Sequence, residues 1–203
     1  MRKLPIDVFS DWVTLGKDKG MEKNHKESVE SMISFATKEL KKFSFIDAGC
    51  GNGWVVRLVA SLPECEKAIG IDGSIKMVQK AKKLDLKSSY ICEDLMLWKP
   101  QKKVDLVHSM EVFYYLKDPQ KLIQHVLSYW LKEGARLIIG LDFYFENTVT
   151  HSWPEDCSIS IMSLFSASEW EIFFLEAGFK EVSSWRLGPK ENWAGTLILT
   201  GIK

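Results

Sequence analysis

Neither sign of charge is in excess in this chain: lysine plus arginine number 27 and aspartate plus glutamate 27 among 203 residues. A protein built to grip nucleic acid usually carries a basic surplus, so nucleic acid is a disfavoured partner. Long apolar runs are missing as well. No stretch approaches the about 18 apolar residues of a membrane span. The start, MRKLPIDVFSDW, has a basic opening but lacks the apolar core of a signal peptide. The expectation is a cytoplasmic protein with no membrane partner. Cysteine is sparse: Cys50, Cys65, Cys92 and Cys157 share no pair spacing typical of metal ligands. Reduced thiols and no metal site are therefore expected. No repeat or low-complexity tract interrupts the chain. An apolar share of 46% over this length suits a single packed domain. Monomer and dimer stay equally open.

Periodicity supplies what composition does not. Residues 1–20 are mixed, with Phe9, Trp12 and Val13 offering one apolar face. From Met21 to Leu40, His25, Val29, Met32, Ile33, Ala36 and Leu40 recur at steps of three and four, which predicts an amphipathic helix. Short strands are expected at Phe43–Asp47, Lys67–Ile71, Ser89–Cys92, Val104–Ser109 and Arg136–Asp142. Helices are expected between them: Trp54–Leu62, one capped by Ser74, and one opened by Asp118-Pro119, a capping side chain followed by proline at the first turn. Ser166-Ala-Ser-Glu169 has the form of a capping box, with Gly178 closing its helix. Phe179–Leu187 and Ala194–Ile202 are the last two strands. The short link Gly188-Pro-Lys-Glu-Asn192 makes them antiparallel, since a parallel crossover needs about a dozen residues. The whole predicts a doubly wound α/β fold: a seven-stranded, mostly parallel sheet with one antiparallel strand and helices on both faces. Such sheets bind ligands at the carboxyl ends of their strands, near the switch in strand order.

Ile46-Asp47-Ala48-Gly49-Cys50-Gly51-Asn52-Gly53-Trp54 lies between the first strand and the helix after it. Three alternating glycines let backbone approach a ligand closely and adopt φ angles other residues resist. The helix start beyond offers free N–H groups that welcome a carboxylate. Asp47 can hold the turn or accept from a ligand ammonium through water. A dinucleotide turn requires Gly-x-Gly-x-x-Gly. Here Trp54 occupies the place of its third glycine, so a ligand without a pyrophosphate suits the loop better. A nicotinamide oxidoreductase is disfavoured for that reason.

Asp47-Ala-Gly-Cys-Gly-Asn-Gly53 resembles the first motif of class I S-adenosylmethionine-dependent methyltransferases, and further motifs follow in order. Gly70-Ile-Asp-Gly-Ser74 places Asp72 where the family binds both ribose hydroxyls. A carboxylate suits that task because it accepts two hydrogen bonds at once. Cys92-Glu-Asp-Leu95 resembles the adenine site, with Asp94 accepting from the exocyclic amine, the Leu95 N–H facing the ring and Met77 covering it. Asp105-Leu-Val-His-Ser-Met-Glu111 resembles the fourth motif, which lines the methionine portion and the transfer site. Leu131-Lys-Glu-Gly134, followed by Arg136-Leu-Ile-Ile-Gly140, resembles the turn before the fifth strand. The resemblance implies S-adenosylmethionine as cofactor. It implies cofactor contacts at Asp47, Gly49, Cys50, Gly51, Gly53, Trp54, Asp72, Gly73, Met77, Glu93, Asp94, Leu95, Ser109 and Met110. It covers residues 43–203 as the cofactor-binding core of one domain spanning 1–203. Residues 1–41 are expected to form a helical cap and 143–167 an insertion on the substrate side.

Methyl transfer from a sulfonium is a displacement in which alignment does most of the work. A base is needed only if the acceptor arrives protonated. Glu111, His108, Tyr115 and His151 are the candidates. His108, inside a strand, reads more as a satisfied interior histidine. Glu111 can bind an ammonium or merely cap a turn. Tyr115 and Tyr114 read more as core, Cys50 as a small packing residue, and His25 and His151 more as structural than functional. The chain lacks the Asn/Asp-Pro-Pro-Tyr/Phe motif of exocyclic-amine and glutamine methylation, the Pro-Cys of cytosine C5 methylation and the paired glutamates of arginine methylation. The expectation is transfer to a small-molecule acceptor through oxygen, nitrogen or sulfur. A protein or RNA acceptor and a non-catalytic cofactor-binding protein are the alternatives.

Overall fold

The computed structural model describes residues 2–203. Seven strands form one sheet: β1 (Phe43–Ala48), β2 (Cys65–Asp72), β3 (Ser89–Cys92), β4 (Val104–Met110), β5 (Leu131–Leu141), β6 (Lys180–Leu187) and β7 (Thr196–Ile202). Their order is β3-β2-β1-β4-β5-β7-β6. β7 alone runs against its neighbours, β5 and β6, as expected from the short hairpin link. The order reverses between β1 and β4, which places the ligand-binding end of such a sheet beside the glycine turn.

Strand residues alternate between two cores. Ile46, Val107, Leu137, Ile139, Leu197 and Leu199 point to one face, covered by α5 (Pro119–His125) and α7 (Ala167–Ala177). Their neighbours Phe45, Leu106, Ile138 and Ile198 point to the other face, where Val29, Met32, Val56 and Val78 pack from α2 (Lys19–Thr37), α3 (Trp54–Ala60) and α4 (Ile75–Leu84). A period-2 backbone buried on both sides needs apolar residues at every step, hence the continuous apolar runs.

Local signals behave as their chemistry dictates. Ser74 accepts from the Met77 N–H at the start of α4, and Asp118 from the Lys121 N–H at the start of α5. Ser166 and Glu169 form the reciprocal capping box of α7, and Gly178 ends it at φ 100°. Ser166→Ala removes one half of that box. It should cost about 1 kcal/mol, read as a fall in melting temperature of roughly 2–4 °C. No shift on thermal denaturation would show that the box is redundant.

Boundaries differ from the sequence reading in several places; β5 begins at Leu131, so residues 131–134, expected as the turn before it, lie within the strand. A helix, α1 (Pro5–Thr14), fills part of the stretch read as mixed. Its proline at the first turn marks the start; Val8 alone is fully buried, and Phe9 and Trp12 on its apolar face stay half-buried because they line the cavity. α2 ends at Thr37, short of Leu40. Between Phe143 and Phe165 lie a 3₁₀ turn (Thr148–Thr150) and the one-turn helix α6 (Trp153–Asp156), and Trp153, Cys157 and Ile161 of this segment face the cavity at the sheet's carboxyl end. No helix among the described residues is long and apolar enough to cross a membrane.

Candidate active site

A cavity of about 1110 Å³ opens at the carboxyl ends of β1, β2, β4 and β5. Its floor begins at the glycine turn. Gly49 and Gly51 hold φ of 78° and 52°, in the left-handed region that favours glycine. A Cβ on Gly49 would lie 2.2 Å from Val112 Cγ2, so the turn is closed to any side chain there. Asp72 secures the bend: one carboxylate oxygen accepts from the Gly51 N–H at 2.9 Å, the other from the Ser74 N–H at 2.8 Å. Burial raises its pKa, and these two donors oppose the rise. A carboxylate has about four lone-pair sites, so further donors can still reach it.

Gly49, Cys50, Gly51, Trp54, Asp72 and Gly73 all line the cavity, as do Asp47, Met77, Glu93, Asp94, Leu95 and Met110. Asp94 also accepts from the Met96 N–H at 2.8 Å, which shapes the turn after β3. Burial pushes the Cys50 thiol well up, consistent with a packing residue.

The structure does not bring every expected residue to this space. Gly53 lies outside the lining. Its φ of 78° serves the entry to α3, and a Cβ there would meet the Tyr90 ring at 2.5 Å. Ser109 is buried and donates to the Ala48 carbonyl at 2.7 Å, tying β4 to β1. His108 is fully buried, with Nδ1 2.7 Å from Asp47 Oδ1, because the β1–β4 register sets the two residues opposite each other. It supports Asp47 and does not face the cavity. His151 lies beyond it too, bonded through Nε2 to the Phe145 carbonyl at 3.0 Å. Of the four candidates for a base, Glu111 and Tyr115 reach the cavity.

The roof comes from the amino-terminal segment. Phe9 and Trp12 of α1 pack edge to face at 5.1 Å, and Phe9 meets Tyr115 at 5.0 Å. The first half of α2 also faces the cavity, through Met21, His25 and Ser28. The second half, from Val29, packs on the sheet. One helix thus serves as both lid and core. The lid is latched by Asp18, which is fully buried. Its Oδ2 accepts from Asn52 Nδ2 at 2.9 Å in the glycine turn and pairs with Lys80 Nζ at 2.6 Å on α4. Burial would raise the Asp18 pKa, but the bonds from Asn52 and Lys80 win and lower it.

Three further lining residues had weak or no sequence signal. Asp142 follows β5, where its strand-end position could have marked it by the logic applied to Asp72. Lys190 and Trp193 belong to the β6–β7 link, whose reach over the site follows only from the sheet's closing strands.

Glu111 sits at φ 60°, uncommon for a residue with a side chain. Its Oε1 accepts from the Asp142 N–H and its Oε2 from the Tyr114 hydroxyl, each at 2.5 Å. Burial first, and the Asp142 carboxylate second, push its pKa well above the ordinary value. The ionised form is therefore the costly one. The contribution to stability is intact below the ordinary pKa of 4.5 and is lost as pH rises toward the raised value. Glu111→Gln does not titrate, so its melting temperature relative to wild type should be more favourable at pH 8 than at pH 5. An identical difference at both pH values would contradict this electrostatic account.

The methyltransferase domain family matches residues 21–184, well over half of the chain. The trans-aconitate 2-methyltransferase of Rhizobium etli is 28% identical over 153 residues, 75% of this chain and 55% of that protein. The ubiquinone biosynthesis O-methyltransferase of Pelagibacter ubique is 29% identical over 146 residues, 61% of this chain and 59% of that protein. The chain thus spans little more than half the length of these curated relatives. Among solved structures, a chain of the complex between the Haloferax volcanii Trm112 methyltransferase activator and a methyltransferase superposes with a TM-score of 0.81. That pair shares 27% identity and 96% of each chain. The N-methyltransferase NodS of Bradyrhizobium japonicum, in complex with S-adenosylhomocysteine, superposes at 0.69 with 16% identity over 88% of this chain and 86% of that one, a likeness of fold. The chain belongs to the methyltransferase domain family, within the class I S-adenosylmethionine-dependent methyltransferases whose succession of strand-end motifs it carries.

Proposed function

We propose that this chain transfers the methyl group of S-adenosylmethionine to a small-molecule acceptor held beneath α1 and α2. The observation that carries the reading is one cavity with two kinds of wall. One is the side-chain-poor bend at Gly49 and Gly51 with Asp72, Glu93 and Asp94. The other is aromatic, from Phe9, Trp12, Tyr115, Trp153 and Trp193.

The residues present fit the cofactor. The bend leaves backbone free to meet an amino-acid tail, with Asp47 as acceptor for its ammonium. Asp72 would hold the ribose hydroxyls, with Met77, Asp94 and Leu95 at the adenine. When bound, the cofactor supplies a methyl carbon on a sulfonium whose leaving thioether is neutral. The chain's own task is then to exclude water and align the acceptor, worth up to roughly 7–11 kcal/mol of the barrier. Ligand sites ordinarily enclose about 300–1,000 Å³. A cavity of about 1110 Å³ has room for an acceptor beside the cofactor.

The test is incubation with methyl-labelled S-adenosylmethionine and, separately, small-molecule, protein and RNA fractions. Each is run with and without the Trm112 activator protein named among the structural neighbours. Label in a small molecule, with S-adenosylhomocysteine released, is the expected result. Label confined to protein or RNA would overturn the small-molecule acceptor. Tight cofactor binding with no turnover of any fraction would favour a non-catalytic role.

A further inference from the structure

The cavity contains more carboxyl groups than the cofactor reading uses. Once Asp47, Asp72, Glu93 and Asp94 are assigned, Glu27 of α2 remains, and so do Glu111 and Asp142, side by side at the ends of β4 and β5. Asp142 is 5% exposed, lines the cavity, and its Oδ1 is buried with no hydrogen-bond partner. Among the described residues neither carboxylate pairs with lysine or arginine. His25 of α2 is the basic group that faces Asp142, its Nδ1 3.6 Å from Asp142 Oδ2, while Lys17 and Lys190 line the same cavity. Burial lowers the His25 pKa against the pull of Asp142, the charged group that acts on it. The Asp142 carboxylate in turn opposes ionisation of Glu111, and burial raises the pKa of Asp142 itself. Asp142 Oδ1, buried and unpartnered, leaves a demand for a donor that the fold does not meet, and because burial raises the pKa of both carboxyls a bound cation would favour their ionised forms. The walls around them are aromatic, which suits a cation carried on an aryl group.

We propose, resting on the methyltransferase reading above, that the acceptor is an arylalkyl amine that enters as its ammonium ion against Glu111 and Asp142 and gives its proton to His25. The Nδ1 of His25 faces Asp142, so Nε2 is the nitrogen left to take that proton. The N–H bond breaks, the proton passes to imidazole, and the freed lone pair attacks the methyl carbon. The carbon–sulfur bond breaks with its electron pair on sulfur. The products are a methylated ammonium ion and a neutral thioether, and the imidazolium returns its proton to solvent. A carboxylate acceptor would meet repulsion from the same wall. On this point the chain departs from relatives whose printed names place methyl groups on trans-aconitate or malonyl-[acyl-carrier protein].

The experiment uses three probes of one shape: phenethylamine, phenethyl alcohol and hydrocinnamate. Each is titrated into the full chain saturated with S-adenosylhomocysteine, with calorimetry as the readout. The thioether keeps the cofactor's own ammonium in place, so any charge preference measured belongs to the acceptor wall. Phenethylamine should bind at least about tenfold tighter than the alcohol, roughly 1.4 kcal/mol, and the carboxylate weakest. Asp142→Asn and Glu111→Gln should each shrink that preference. In turnover, His25→Gln should lower kcat for the amine about 100-fold at neutral pH. The loss should fade as pH rises toward the amine's own pKa, while affinity for S-adenosylhomocysteine stays unchanged. Equal or reversed binding order, no binding of any probe, a preference untouched by Asp142→Asn, or a His25→Gln defect equal at every pH overturns the proposal. Those results leave the methyltransferase reading standing. Failure of S-adenosylhomocysteine itself to bind overturns both.

Discussion

Gly49→Ala should lower stability by about 3–4 kcal/mol and abolish measurable cofactor binding. Two costs combine. A residue with a side chain at φ 78° is in the left-handed region, which costs about 1–3 kcal/mol. Its Cβ would lie 2.2 Å from Val112 Cγ2 and 2.8 Å from Cγ1, so either the turn or Val112 must move; such overpacking costs about 1–3 kcal/mol. A fall of roughly 10 °C in melting temperature is the corresponding readout for a domain of this size. The double variant Gly49→Ala/Val112→Ala separates the two terms. It removes the clash but not the backbone cost, so it should recover part of the stability. Full recovery would mean that φ is free to change, and no recovery would mean that Val112 is not the obstacle. Movement of the turn also displaces the Gly49 and Cys50 N–H groups from the Ile71 carbonyl, which now accepts from them at 2.8 and 3.0 Å.

Asp72→Ala should weaken S-adenosylmethionine binding by about 2–3 kcal/mol, roughly 30- to 150-fold. The substitution removes the acceptor proposed for the ribose hydroxyls. It also releases the Gly51 and Ser74 N–H groups that the carboxylate now holds, so the bend loosens. Asp72→Asn keeps the shape and one carbonyl oxygen and should fall between the two. An unchanged affinity in Asp72→Ala, measured by calorimetry with the fold confirmed intact, would remove the nucleoside from this strand end.

Much of the architecture was legible because it depends on local rules. Short, mostly apolar runs between helix patterns marked all seven strands, and the hairpin link marked the antiparallel one. Capping residues at Ser74, Asp118 and Ser166 marked helix starts within a residue. α1 was missed since only Val8 is buried on it and its partners, Ser74 and Tyr115, are far along the chain. The site was legible where a motif places a residue at a strand end, as with Gly49, Asp72 and Asp94. It was not legible where register decides. Asp47 and His108 are 61 positions apart, and only the β1–β4 pairing reveals that one holds the other. The same holds for His25 and Asp142, which meet across the lid and the sheet. His25 was visible as one apolar-leaning position on a helix, with no sign of the carboxylate it would face. His151 shows the converse: a histidine in a segment expected near substrate, turned instead to the Phe145 carbonyl.

The most direct measurement is a crystal structure of the chain with S-adenosylhomocysteine. The account predicts the amino-acid tail on the backbone of Gly49 and Gly51, the ribose on Asp72, and the adenine between Met77 and Leu95 near Asp94. The thioether sulfur should face the space walled by Glu111, Tyr115 and Asp142. Density for the nucleoside anywhere else, or a bend at residues 49–53 that stays closed to the ligand, would contradict it.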